Sequence, residues 1–170
     1  MGAQMSKKLD LYLEFATDLM ETCIKIYTDI PTGLAPEIVY FRTNTTDVYY
    51  NAKSFGAGDI VVKNDDAHSL LRPEAIESLF YFWRITKNER YRTIAWSIFQ
   101  SFNNYSRVDT GGYASLDDVR SIPPPQRDRL DSFFLAETLK YLYLIFSDDK
   151  LLPLDEHIFN TEAHPFPVFK

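Results

Sequence analysis

Carboxylates on helices are the residues of this sequence with the most chemical promise. Glu74, Glu77 and Tyr81 stand at i, i+3 and i+7, which puts them on one face of a helix. The opposite side carries Ile76, Leu79, Phe80 and Trp83. Acidic residues in a first helical turn ordinarily offset the helix dipole from the solvated surface, so a purely structural role competes for Glu74 and Glu77. Glu137 stands in Phe133-Phe134-Leu135-Ala136-Glu137-Thr138-Leu139-Lys140-Tyr141-Leu142, apolar almost all round, as in a buried helix. A carboxylate there needs a charged partner, a metal or a water network, because unpaired burial is costly. Lys140, one turn on, is the simple partner; a polar channel between helices is the other. Paired carboxylates lining a cavity, with a ring such as Phe133 to stack on a sugar, suit glycoside hydrolysis, in which one carboxyl acts as acid and another activates water. Hard oxygen ligands also suit calcium. His68, His157 and His164 show no zinc spacing, and neither a Gly-rich phosphate loop nor a Ser-His-Asp arrangement is evident.

The elements that must position these groups follow from periodicity. Leu11, Tyr12, Phe15, Ala16, Leu19, Met20, Cys23, Ile24 and Tyr27 form a stripe at helical spacing that ends at Pro31 and Gly33. From Thr32 to Leu70 the composition shifts to Gly, Asn, Asp and Thr, with Ile38–Phe41 and Ile60–Val62 as short strands. Pro73 opens a second helix that runs to about Thr86. A third is expected from about Tyr91 to Ser106, and a fourth from about Arg127 to Phe146. Gly111-Gly112 and Pro123-Pro124-Pro125 mark the loops between those two. Pro153, Pro165 and Pro167 favour an extended tail.

A repeat runs through this layout. Glu77-Ser78-Leu79-Phe80-Tyr81-Phe82-Trp83-Arg84-Ile85 matches Glu137-Thr138-Leu139-Lys140-Tyr141-Leu142-Tyr143-Leu144-Ile145 at a spacing of 60. Two helices of one pattern with a third between them imply stacked helical hairpins, an α/α toroid or solenoid. Chance similarity between two amphipathic helices is the alternative. In the toroid, Glu77 and Glu137 point into one cavity.

Composition bounds the function. The 170 residues fit one domain or a piece of a larger one. Eighteen Lys and Arg against 24 Asp and Glu leave a net charge of −6 and no dominant basic patch, which weighs against a nucleic-acid partner. Hydrophobic residues make up 45%, so global disorder is out. Charged residues interrupt every apolar run before it can span a bilayer, and Met1 to Leu13 shows no signal-peptide pattern. The one cysteine, Cys23, has no internal disulfide partner. Alone it marks a reduced compartment or a small buried hydrophobe; set beside the sequons Asn44-Thr45-Thr46 and Asn104-Tyr105-Ser106, it suggests a secretory protein whose disulfide partner lies outside these residues.

Taken together, four motifs carry a family likeness: Leu70-Leu71-Arg72-Pro73-Glu74-Ala75-Ile76-Glu77-Ser78-Leu79-Phe80-Tyr81; Gly111-Gly112-Tyr113-Ala114-Ser115; Asp131-Ser132-Phe133-Phe134-Leu135-Ala136-Glu137-Thr138-Leu139-Lys140-Tyr141-Leu142; and Phe159-Asn160-Thr161-Glu162-Ala163-His164-Pro165. With Thr32-Gly33-Leu34-Ala35-Pro36-Glu37 upstream, the chain resembles the class I α-1,2-mannosidases, glycoside hydrolase family 47, in family order and over essentially its whole length. The resemblance implies an all-α fold, the C-terminal portion of an (α/α)7 barrel, with short β-strands and a C-terminal hairpin plugging the barrel. It implies a calcium-dependent, inverting exo-mannosidase that trims α-1,2-linked mannose from high-mannose N-glycans on glycoproteins.

Residue roles carry over on the same resemblance. Glu74 matches the general base, acting on a calcium-bound water, and Thr161 the residue that binds calcium through hydroxyl and carbonyl. Glu37, Glu77, Glu137 and Glu162 match carboxylates that hold the metal's waters or the terminal mannose. Arg72 matches a sugar-site arginine and Phe133 the ring under the mannose. The family's general acid, and the other half of a disulfide matched by Cys23, have no counterpart among residues 1–170. They imply that the chain is the C-terminal part of one catalytic domain, inactive and poorly stable without the rest. Its place is then the secretory pathway, in the endoplasmic reticulum or Golgi lumen or outside the cell, with any membrane anchor or signal upstream. Two rivals stand beside the enzyme. One is a non-catalytic glycan-binding relative of glycoprotein quality control; the other is a helical scaffold without sugar chemistry.

Overall fold

The computed structural model describes residues 2–42, 55–57 and 60–169. The sequon at Asn44 lies outside the described residues, while Asn104 is exposed. The first helix, α1 (Gly2–Thr28), extends well before the apolar stripe that announced it. Its last third packs: Met20 and Ile24 are buried, and Cys23, Ile26 and Tyr27 lie half-buried against the core. Leu11, Tyr12, Phe15 and Leu19 of the same stripe stay exposed, as does Leu9 before it. Just past α1 Gly33 adopts φ +68°, a left-handed conformation that favours glycine, and a Cβ there would displace the Ser101 hydroxyl, 2.7 Å away.

Strands β1 (Tyr40–Phe41), β2 (Phe55–Ala57) and β3 (Ile60–Val62) form an antiparallel sheet in the order β1-β3-β2. Ile60, Val61 and Val62 are all buried, as a strand without polar alternation requires. Pro73 caps α2 (Glu74–Thr86), and Lys87 ends it in the left-handed conformation, its N–H bonding Trp83 O. Ile76, Leu79 and Phe80 of α2 are fully buried, Trp83 partly so. Helix α3 (Glu89–Ser101) opens earlier than periodicity indicated, because the Asn88 side chain accepts the Arg90 N–H at 3.0 Å and caps it. A π-helical turn, Phe102–Ser106, completes it.

The fourth helix departs from expectation at its start. Gln126–Arg127 is not helical; it forms β5 against β4 (Ser115–Leu116). The Ser115 N–H donates to Arg129 O and Arg127 Nε donates to Asp117, so pairing across the loop holds this stretch extended. Helical backbone begins at 132, passes through a π-helical turn at Phe134–Thr138, and continues as α4 (Leu139–Phe146). Nor is this helix buried all round. Phe134, Thr138, Tyr141, Leu144 and Ile145 face the core, while Leu135 and Tyr143 are 60% and 67% exposed.

Helix α2 is central and touches α1, α3 and α4. Arg84 runs through the core beneath Phe80 and donates to the carbonyls of Leu144, Asp149 and Leu151, closing the end of α4. Strands β6 (His157–Phe159) and β7 (Pro165–Pro167) pair as the terminal hairpin. The architecture is predominantly helical with small strand pairs, and the described helices close no ring. No described helix is long and apolar enough to cross a membrane.

Candidate active site

The segment entering α2 is held in an unusual shape. Leu71, buried, has φ +63°, which costs about 1–3 kcal/mol for a side chain of this kind and persists only when neighbours enforce it. Two neighbours do. Thr138 Oγ1, from the π-helical turn, donates to Leu71 O at 2.8 Å. Glu37 grips both sides: its Oε1 accepts the Leu70 N–H at 3.1 Å, and its Oε2 accepts Arg72 Nε at 2.6 Å. This bond holds the Arg72 guanidinium further above its usual range, although burial works against it. Arg72 also lies 5.6 Å from the centroid of the Phe133 ring. Glu37, Arg72 and Phe133, separated widely in sequence, thus stand in one row.

Glu74 follows at the exposed start of α2, and Glu77 half-buried one turn later. Burial holds the Glu77 carboxyl above its ordinary pKa and the Glu74 charge adds to this, while a 3.3 Å bond from Tyr141 Oη opposes it. The Glu137 carboxyl is also pushed up, first by burial and then by the charges of Glu162, Glu74 and Glu77, with Lys140 pulling the other way. Glu74 and Glu37 further raise the Tyr27 hydroxyl, already high through burial. So Glu74 and Glu77 from α2 and Glu162 from the hairpin tip all lie within electrostatic reach of Glu137 in the π-helical turn.

Thr161 and Glu162 occupy that tip, both exposed. Asn160 shapes it, its Oδ1 accepting the N–H groups of Glu162 and His164 at 3.0 and 2.8 Å. Lys140, the simple partner for Glu137, instead donates to the Ala163 carbonyl at 2.8 Å. A cleft of roughly 240 Å³ opens beside the row, lined in part by Cys23, Tyr27, Glu37, Leu71, Arg72 and Glu74. Phe133, Glu77, Glu137, Thr161 and Glu162 lie outside its walls. Cys23 is a free, half-buried thiol whose pKa burial raises.

The donors here are oxygen only. Among the described residues no three His, Cys, Asp or Glu side chains gather as a direct ligand set. A threonine hydroxyl and carbonyl with carboxylates further out suit a hard cation held largely through water, as calcium is, better than zinc. Spacing alone missed three contributors: Thr138 holding Leu71, Tyr141 bonding Glu77, and Asn160 bracing the tip. The repeat, which aligns Tyr141 with Tyr81, was the available signal for the second.

The model of glycosyl hydrolase family 47 matches residues 1–168. A mannosyl-oligosaccharide 1,2-alpha-mannosidase of Arabidopsis thaliana is 53% identical over 160 residues, covering 92% of this chain and 26% of that protein. The endoplasmic reticulum mannosyl-oligosaccharide 1,2-alpha-mannosidase of Homo sapiens is 48% identical over 160 residues, 93% of this chain and 22% of its own length. The chain therefore spans about a quarter of the length of these relatives. The solved alpha-1,2-mannosidase from Trichoderma reesei superposes with a TM-score of 0.79 at 27% identity, covering 94% of this chain and 35% of that one. A family match along nearly the whole chain, over a fold shared with a solved mannosidase, has one meaning: this chain belongs to glycosyl hydrolase family 47.

Proposed function

We propose that these residues are the C-terminal part of the catalytic domain of a calcium-dependent, inverting exo-α-1,2-mannosidase that trims terminal mannose from high-mannose N-glycans in the secretory pathway. The observation that carries this is that Glu137 senses the charges of Glu162, Glu74 and Glu77 while Lys140, one turn on, bonds the hairpin tip that bears Thr161 and Glu162.

Glu74 serves as general base: it is exposed at the head of α2, so water reaches it, and it shares a helix face with Glu77. Arg72, locked by Glu37, donates to sugar hydroxyls, and Phe133 supplies the apolar face on which the ring lies. Glu77, Glu137 and Glu162 accept hydrogen bonds from sugar hydroxyls or ordered waters. Thr161 would hold calcium through its hydroxyl and carbonyl, with those three carboxylates around it. When bound, the ion positions sugar hydroxyls and makes a water easier to ionise. The general acid comes from the remainder of the domain, as does cover for the exposed stripe of α1 and for the apolar groove of Trp96, Leu139 and Tyr143. Alone, residues 1–170 turn over no glycan.

The test uses the complete protein. Its α-1,2-mannosidase activity on a high-mannose glycan should vanish with a chelator and return with calcium, and the released mannose should have inverted anomeric configuration. Glycan binding without release of mannose would give the site to the quality-control relative instead. No calcium- or glycan-dependent change in melting temperature would leave only a scaffold.

A further inference from the structure

Little of the terminal hairpin is buried, although its tip carries Thr161 and Glu162. All of β7 is exposed, as are Asn160, Thr161, Glu162 and His164. Two contacts tie the tip to the helices. Phe159 places its ring 5.6 Å from Phe80 and 5.8 Å from Tyr141, centroid to centroid. Ala163, fully buried at φ +56°, receives Lys140 Nζ on its carbonyl at 2.8 Å. A left-handed residue with a Cβ needs an outside hold, and a charge-assisted bond to its carbonyl is a strong one. Lys140 stands one helical turn from Glu137 and feels its charge, yet its short bond goes to the backbone of the turn.

We propose that Lys140 is a positioning residue for the cation site, locking the turn that presents Thr161 onto the helix that carries Glu137. The proposal rests on the calcium reading of the site given above. It assigns Lys140 a mechanical role whose sign is opposite to its electrostatic one. As a bare positive charge Lys140 repels a neighbouring cation, so removing the charge alone tightens calcium binding. As a clamp it fixes the span between Thr161 and the carboxylates, so removing it loosens binding.

The experiment compares Lys140→Met and Lys140→Arg with wild type in the complete catalytic domain, by calorimetric titration with calcium chloride and by amide hydrogen exchange in EDTA. Lys140→Met should weaken calcium binding about tenfold or more, the cost of losing a residue that orients a metal ligand. Lys140→Arg, which keeps a cationic donor, should stay close to wild type. In EDTA, the amides of residues 160–164 should exchange faster in Lys140→Met while those of 139–146 keep their protection. Equal or tighter calcium binding by Lys140→Met overturns the proposal. So does unchanged exchange at the tip, or loss of protection in the helix as well, which would mark a general structural role. A wild type that binds no calcium sinks the cation assignment here and in the site reading alike, and tip exchange alone then decides whether the clamp exists.

Discussion

The two repeated helices share their letters and differ in almost everything those letters do. Ser78 Oγ bonds back to Glu74 O within its own helix, whereas its counterpart Thr138 reaches across to Leu71 O. Tyr141 is fully buried with its hydroxyl on Glu77, while Tyr81 is half-buried. Phe80 is at the centre of the core where Lys140 clasps the hairpin. Ile85 is 64% exposed and Ile145 not at all. The cause is position: α2 is surrounded by three helices, and α4 enters through a π-helical turn at the edge. A local widening of this kind re-aims side chains and is common at functional sites. The lesson is that a repeat in sequence marks a shared local shape, while the partners decide what each copy's side chains touch.

If the general base stands at the head of α2 and cation holding falls to Thr161 and the carboxylates of Glu77, Glu137 and Glu162, substitutions should separate the two. In the complete enzyme, Glu74→Gln should lower kcat by about 10²–10⁴, the usual worth of a general base, with calcium affinity little changed. Thr161→Ala and Glu137→Gln should act first on calcium affinity. Steady-state kinetics with parallel calcium titrations check this, and a Glu74→Gln enzyme with normal kcat would break the division.

Part of this division was legible in the sequence. Pro73 and the spacing of Glu74 and Glu77 place both carboxylates at the head of one helix, and the repeat sets Glu137 at the position matching Glu77. The stripe from Leu11 to Tyr27 forecast α1, but a stripe cannot say how much of it will find a neighbour. What stayed hidden has no period. Two-residue strands such as β4 and β5 are set by bonds between distant segments, Ser69 with Leu116 and Ser115 with Arg129. The bond from Glu37 to Arg72 spans 35 residues, and Lys140 finds a main-chain carbonyl that no side-chain pattern announces. Glu37, Thr161 and Glu162 entered through family likeness, because an exposed hairpin tip has no signature of its own.

A second substitution pair tests the contrast between local and cross-element bonds directly. Thr138→Val leaves Leu71 O buried without its donor and relaxes the enforced turn, at a cost of about 1–3 kcal/mol in urea unfolding. Ser78→Ala, whose hydroxyl only doubles a carbonyl already in its helix, should stay within about 0.5 kcal/mol of wild type. Equal losses at the two sites would mean that the repeat copies are energetically equivalent after all.

The smallest expected effect concerns pH. Glu77 and Glu137 both hold their protons to higher pH in the folded chain than at the ordinary carboxylate value of 4.5, chiefly through burial. Between that value and the raised one, the folded state binds more protons than the unfolded state, so stability falls as pH rises. The calcium-free domain should therefore melt at lower temperature as pH is raised through this window. Glu77→Gln and Glu137→Gln remove the ionisation and should flatten the trend, leaving the variants more stable than wild type in EDTA above it. With calcium the order should reverse, because the cation is held by ionised carboxylates and the variants lose that gain. Melting curves across pH, with chelator and with calcium, supply both halves. At Glu77 the Tyr141 hydroxyl favours the ionised form and so works against this trend.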